Sequence, residues 1–190
     1  MNADRAGPQT STTRWGLVAV IFSSLIVGVG LGGMAPLLAL SLESRQVPSL
    51  LIGFNAAMAP VGAITGALLV PLLLRRCNAV SAMVFGVTLS AVILLLFGVT
   101  ENILLWFVLR FCFGLLLALP WVIGEAWLNA AVNDVNRGRV MSYYALALAS
   151  GFMLGPVILF FTGRDGVAPF AILAIMVLAS AGPVWMAKRG

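Results

Sequence analysis

Apolar residues run in long blocks along this chain, and the polar residues stand almost entirely in the short gaps between them. The blocks are, roughly, Trp15–Leu40, Leu50–Leu74, Ala79–Val99, Ile103–Ala130, Val140–Thr162 and Val167–Ala187. A bilayer core about 30 Å thick is crossed by about 20 helical residues, so each block predicts one membrane-spanning helix. The gaps read "SLESRQVPS", "RRCN", "TEN", "NDVNRGR" and "GRDG". Connections this short force neighbouring helices to run antiparallel. The pattern predicts an all-α polytopic membrane protein: a tail at 1–13, a six-helix domain at 14–187 and an end at 188–190, with both termini on one side.

Composition agrees, with 62% of residues hydrophobic and 9% charged, where soluble domains carry about 25% charged residues. The net charge of +5 is spread between apolar spans, which predicts topology signals rather than a nucleic-acid surface. Arg5, Arg14, Arg75, Arg76, Arg137, Arg139, Lys188 and Arg189 fall on one side, and Arg45 and Arg164 on the other, beside Glu43 and Asp165. The positive-inside rule then puts both termini in the cytoplasm of a bacterial inner membrane. Trp15, Trp127 and Trp185 at one end and Trp106 at the other are expected to anchor the two interfaces. The polar start lacks the shape of a cleavable signal peptide, and Cys77 and Cys112 lie at different depths, which makes a disulfide framework unexpected. The chain has no His, so the commonest metal ligand and general base are missing. With no Ser/His/Asp set, metal cluster or phosphate loop visible, neither an enzyme nor a cofactor is expected.

The spans differ among themselves. The third and sixth contain no ionisable group and are expected to face lipid. Small residues four apart, which let helix backbones approach closely, occur as Gly28/Gly32 in span one, Gly62/Gly66 in span two and Gly151/Gly155, followed by Pro156, in span five. Gly62, Gly66 and Arg75 recur as Gly151, Gly155 and Arg164 at an offset of 89 residues. The recurrence suggests two diverged copies of three spans, and an odd number of spans per copy makes the repeat inverted, as in secondary transporters.

Span four contains "LRFCFG", span five "GFMLGPVILFF" and the loop after span two "RRCNA". In these motifs the chain resembles the six-helix N-terminal half of a major facilitator superfamily transporter. "GEAWLN" with "RGRVMSYY" resembles the YcaD-type branch of that family. Arg110 and Gly114 match the family's arginine-plus-glycine motif, with Phe113 where a Gln is usual. Gly151, Gly155 and Pro156 match the start of the exporter-type motif, with Leu159 and Phe160 in place of its glycine pair. In the loop signature Arg76 stands for the family's Arg, Asn78 for its Gly and Arg75 where its Asp belongs. The resemblance implies a secondary transporter of a small solute working by alternating access. It also implies that spans two and five face the other half of a twelve-helix body. An even number of spans lets two copies insert alike, so a homodimer is expected, glycine face against glycine face, with pairing to a second half-transporter chain as the alternative. A non-transporting membrane scaffold or regulatory subunit is the competing function.

Arg110 and Glu125 stand roughly 22 Å apart along one helix, and each therefore needs its own role. Arg110 serves either as an arginine reaching outward to headgroups or to Glu101, or as an anion-attracting group on the central cavity. Glu125, the only acid inside a span, is either a proton-coupling carboxylate or a latch to the basic loops holding Arg75, Arg76 and Arg139. Asp134 and Arg137 join that inner-gate set. Pro120 is expected to kink span four near the midplane, next to Trp121 as a cavity wall. Asn55 is the main uncharged polar candidate in span two, with Ser23 and Ser24 of lower priority in span one. The partners expected are thus the bilayer, a second half and a small anionic or amphipathic solute, with proton-coupled efflux as one expectation.

Overall fold

The computed structural model describes residues 9–132, 134–163 and 166–182. Arg5, Arg164, Asp165, Trp185, Lys188 and Arg189, and the side chains of Arg14 and Trp15, lie outside that description. Six helices follow in order: α1 (Gln9–Ser44), α2 (Ser49–Leu74), α3 (Ala79–Val99), α4 (Ile103–Ala131), α5 (Asp134–Thr162) and α6 (Ala168–Ala179). The first five are long and apolar enough to cross a membrane, and α6 is a shorter apolar helix. Positions 183–187 of the expected sixth span lie outside the described residues.

Local chemistry sets the helix boundaries. Asn102 caps α4, its side-chain oxygen accepting from the amides of Leu104 at 3.0 Å and Leu105 at 3.3 Å. Asn78 caps α3 by accepting from Ser81 N at 2.7 Å. Each satisfies amide donors that a helix start leaves open. Asn78 has φ −74° and ψ 154°, so it does not adopt the left-handed conformation of the motif glycine it stands for. Capping needs the extended backbone found here. The turn between α5 and α6 does use left-handed glycines, Gly163 and Gly166.

The helices pack in the lateral order α5, α1, α6, α3, α4, α2, and α1 also touches α4. Exchanging helices one to three with four to six maps this order onto its own reverse. Atomic contacts repeat with it. A Cβ on Gly62 would strike the carbonyl oxygen of Phe111, and one on Gly151 would strike that of Leu25. A Cβ on Gly114 would strike the carbonyl oxygen of Ala59, and one on Gly28 that of Leu148. Gly62→Gly151 and Ala59→Leu148 are shifts of 89, while Leu25→Phe111 and Gly28→Gly114 are shifts of 86. The α2–α4 and α1–α5 interfaces are therefore copies of one glycine-built contact. This is the 3+3 inverted repeat that the offset of 89 suggested.

Two prolines extend the same logic. Proline has no N–H to bond the carbonyl four residues back. For Pro120 that carbonyl belongs to Leu116, whose oxygen lies 2.6 Å from where a Gly86 Cβ would be. For Pro156 it belongs to Phe152, whose oxygen faces Gly32 in the same way. In each pair a glycine of the neighbouring helix lets its backbone close over the released carbonyl. Helix α4 runs unbroken through Pro120.

Exposure is distributed differently from the sequence expectation. Only 17% of the apolar window is buried in α2 and in α5, against 50% in α3. The span without charges is thus a half-buried packing partner of α4 and α6, and α2 and α5 are the uncovered flanks. Gly62, Gly66, Gly151 and Gly155 are all buried against α4 or α1 of the same chain. Their faces are filled, which corrects the expectation of a glycine-on-glycine dimer contact. Trp106 is also corrected: it is 1% exposed and packs edge-on to Phe97 and Phe170 rather than facing lipid.

Candidate functional site

Two expected site residues meet in the structure. Arg110 of α4 donates from Nη1 to the side-chain oxygen of Asn55 on α2 at 3.2 Å. Arg110 is 5% exposed and Asn55 0%. They meet because the Gly62–Phe111 and Gly114–Ala59 contacts bring α2 and α4 close enough for a short amide to reach a guanidinium. The outward-reaching alternative for Arg110 does not describe this arrangement.

The pair is polar yet incomplete. Nε of Arg110 and Nδ2 of Asn55 are buried without a hydrogen-bond partner. Both are donors, and no ion pair within 4 Å reaches Arg110 among the described residues. A buried guanidinium without an acid is costly. The contact is thus a charged-to-neutral hydrogen bond with spare donors on both side chains, and not a salt bridge.

The repeat assigns this pair a counterpart, joining the low-priority candidate Ser24 to a residue not expected from the sequence. Shifting Arg110 back by 86 gives Ser24, and shifting Asn55 forward by 89 gives Tyr144. These two also meet, Ser24 Oγ lying 3.5 Å from Tyr144 O while bonding its own helix at Ile21 O at 2.7 Å. A small cavity opens beside them, lined by Ser23, Ser24, Pro120, Trp121, Gly124 and Tyr144. Trp121 lines this water-sized gap, on the neutral rather than the charged side of the repeat. The signal that would have found Tyr144 is the offset of 89 applied to Asn55.

The inner-gate set is less convergent. Glu125 is half-buried and makes no ion pair within 4 Å with Arg75, Arg76, Arg137 or Arg139 among the described residues. The latch expectation is not met in this conformation. Those arginines, Asn78 and Asp134 are all exposed. The contact across the α4–α5 connection is instead Arg137 Nε to Asn129 Oδ1 at 3.1 Å, with Asn129 Nδ2 donating to Glu125 O at 2.9 Å. No group of metal-ligating side chains is present among the described residues.

Against this geometry the comparisons can be set. Residues 16–189 match the sequence profile of the Major Facilitator Superfamily. The MFS-type transporter YfkF of Bacillus subtilis (strain 168) is 27% identical over 133 residues, covering 69% of this chain and 34% of that protein. The chain spans about a third of the length of the curated relative it matches.

Proposed function

The chain belongs to the major facilitator superfamily as a multi-pass membrane protein, and from that premise we propose that it is one half of a secondary transporter for a small anionic or amphipathic solute. The observation that carries the reading is the buried Arg110–Asn55 pair, with two donor atoms left without acceptors. An anionic solute supplies those acceptors at a depth where a guanidinium is otherwise expensive.

Transport requires a second wall. The uncovered flanks α2 and α5 are where a second six-helix body fits, and we take that body to be another copy of this chain in the same orientation. In this arrangement the basic loops and both termini lie in the cytoplasm, following the positive-inside rule. Two copies of Arg110 then border one cavity and draw anions into it. Glu125, a lone carboxylate in the span, is the candidate for proton coupling.

The test is flux in proteoliposomes loaded with a panel of radiolabelled organic anions. Saturable uptake is expected from the native chain, falling at least tenfold in Arg110→Gln while helicity and elution profile stay unchanged. Saturable uptake that survives Arg110→Gln would remove this arginine from the solute site. Absence of flux from native chains in every lipid tried would leave the scaffold reading.

A further inference from the structure

The end of the bundle where α1 and α3 end and α4 and α6 begin holds a polar pocket of about 200 Å³, one helical turn before Arg110 along α4. Its lining includes Ser41, Ser44, Arg45, Glu101, Trp106 and Gly166. These residues come from the ends of spans and from loops, so the pocket lies at the water–lipid boundary on the side opposite the termini.

The charges in it are held in an unusual way. Arg45 lies over Trp106, its guanidinium carbon 4.8 Å from the ring centroid. It also donates from Nη1 to the backbone oxygen of Glu101 at 3.1 Å. The indole is itself fixed, donating from Nε1 to Thr100 O at 3.0 Å and packed edge-on against the stacked pair Phe97 and Phe170. Arg45 and Glu101 thus border one pocket and touch through a main-chain carbonyl, yet their side chains form no ion pair within 4 Å among the described residues. Two exposed opposite charges this close would ordinarily pair. Here the contact with Trp106 and the bond to the carbonyl oxygen hold the guanidinium in place, leaving it its other N–H groups and leaving the carboxylate without a cation among the described residues.

We propose that this pocket binds the headgroup of an aminophospholipid, phosphoethanolamine being the shared chemistry. The phosphate is bound by Arg45, which offers several N–H donors to one anion. The primary ammonium is bound by Glu101, with the hydroxyls of Ser41 and Ser44 as further partners. Exposed Val99 and Val167 beside the pocket give the acyl chains an apolar path down the α3–α6 side. A choline headgroup carries no N–H for Glu101, and a glycerol headgroup carries no cation. Of these three headgroups, ethanolamine alone offers both a phosphate and an N–H-bearing cation. The inference does not depend on transport.

The experiment is native mass spectrometry of the full chain released from vesicles containing equal parts phosphatidylethanolamine, phosphatidylcholine and phosphatidylglycerol. Retained adducts of the native chain are expected to favour phosphatidylethanolamine several-fold over both others. Glu101→Gln, an exposed and nearly isosteric change, is expected to abolish the preference over phosphatidylglycerol while anionic lipid is still retained. Arg45→Gln is expected to lose both. Equal retention of the three lipids by the native chain, or an undiminished ethanolamine preference in Glu101→Gln, would overturn the proposal. So would full displacement of the lipid by soluble phosphoethanolamine, which would assign the pocket to a water-soluble ligand.

Discussion

At the scale of single residues, glycine decides what this chain can build. Each of Gly28, Gly62, Gly114 and Gly151 faces a carbonyl oxygen of the neighbouring helix with no room for a side chain. Gly62→Leu or Gly151→Leu is expected to lower the thermal midpoint in detergent sharply, beyond the roughly 1–3 kcal/mol of ordinary overpacking, because backbone rather than side chain must give way. Gly53 lies on the same helix with nothing within 4 Å of its Cβ position, and Gly53→Ala is expected to be neutral or slightly stabilising. An equal loss in both variants would show that the glycine contacts are not what holds α2 to α4. The Arg110–Asn55 pair yields a sharper residue test. Asn55→Asp replaces a neutral amide beside the buried guanidinium with a carboxylate that pairs with it. Folding stability is expected to hold or rise while uptake of anions falls at least tenfold, as read by melting and by proteoliposome flux. Unchanged uptake in Asn55→Asp would mean that the solute does not meet Arg110.

At the scale of helices, much of the arrangement was legible in the sequence, and the parts that were not have physical causes. Six apolar blocks gave the helices, since water-free surroundings force the backbone to bond within each segment. The offset of 89 gave the repeat. Hydropathy could not tell which apolar faces pack on protein and which on lipid, because both environments favour the same side chains. For that reason α3 looked lipid-facing and is half-buried, and the glycine faces looked free for a partner and are filled from within. Asn55 and Arg110 were visible as candidates because polar groups in a span stand out. Their contact was not, since it depends on how closely α2 approaches α4. Ser24 was visible at low priority, and Tyr144 was hidden because one tyrosine in a membrane helix attracts no notice by itself.

The exposed stripe of α2 runs through Leu50, Phe54, Val61, Ile64 and Leu68, on the side away from Gly62 and Gly66. That of α5 runs through Leu146, Met153, Val157 and Phe160. Ile64 and Met153 are equivalent under the shift of 89, as are Leu68 and Val157. In a twofold dimer these stripes meet as α2 of one copy against α5 of the other. With Cys77 and Cys112 replaced by Ala, the double variant Ile64→Cys, Met153→Cys is expected to cross-link two chains in membranes under mild oxidation. Cross-linking no stronger than in a Val70→Cys, Leu159→Cys control, whose positions are buried within one chain, would rule this interface out.

At the scale of the whole molecule, a single chain offers a solute one wall. Its polar pair lies between α2 and α4 beside flanks that are 17% buried, and nothing among the described residues closes a path across the membrane around that pair. The account therefore stands on assembly before it stands on flux. The most direct measurement is the mass of the purified chain in lipid nanodiscs, after subtraction of lipid and scaffold. The expected value is twice the 20.0 kDa of one chain, persisting on dilution. A mass of one chain at every concentration, in a preparation whose helicity is intact, would contradict a transporter built from two copies of this chain.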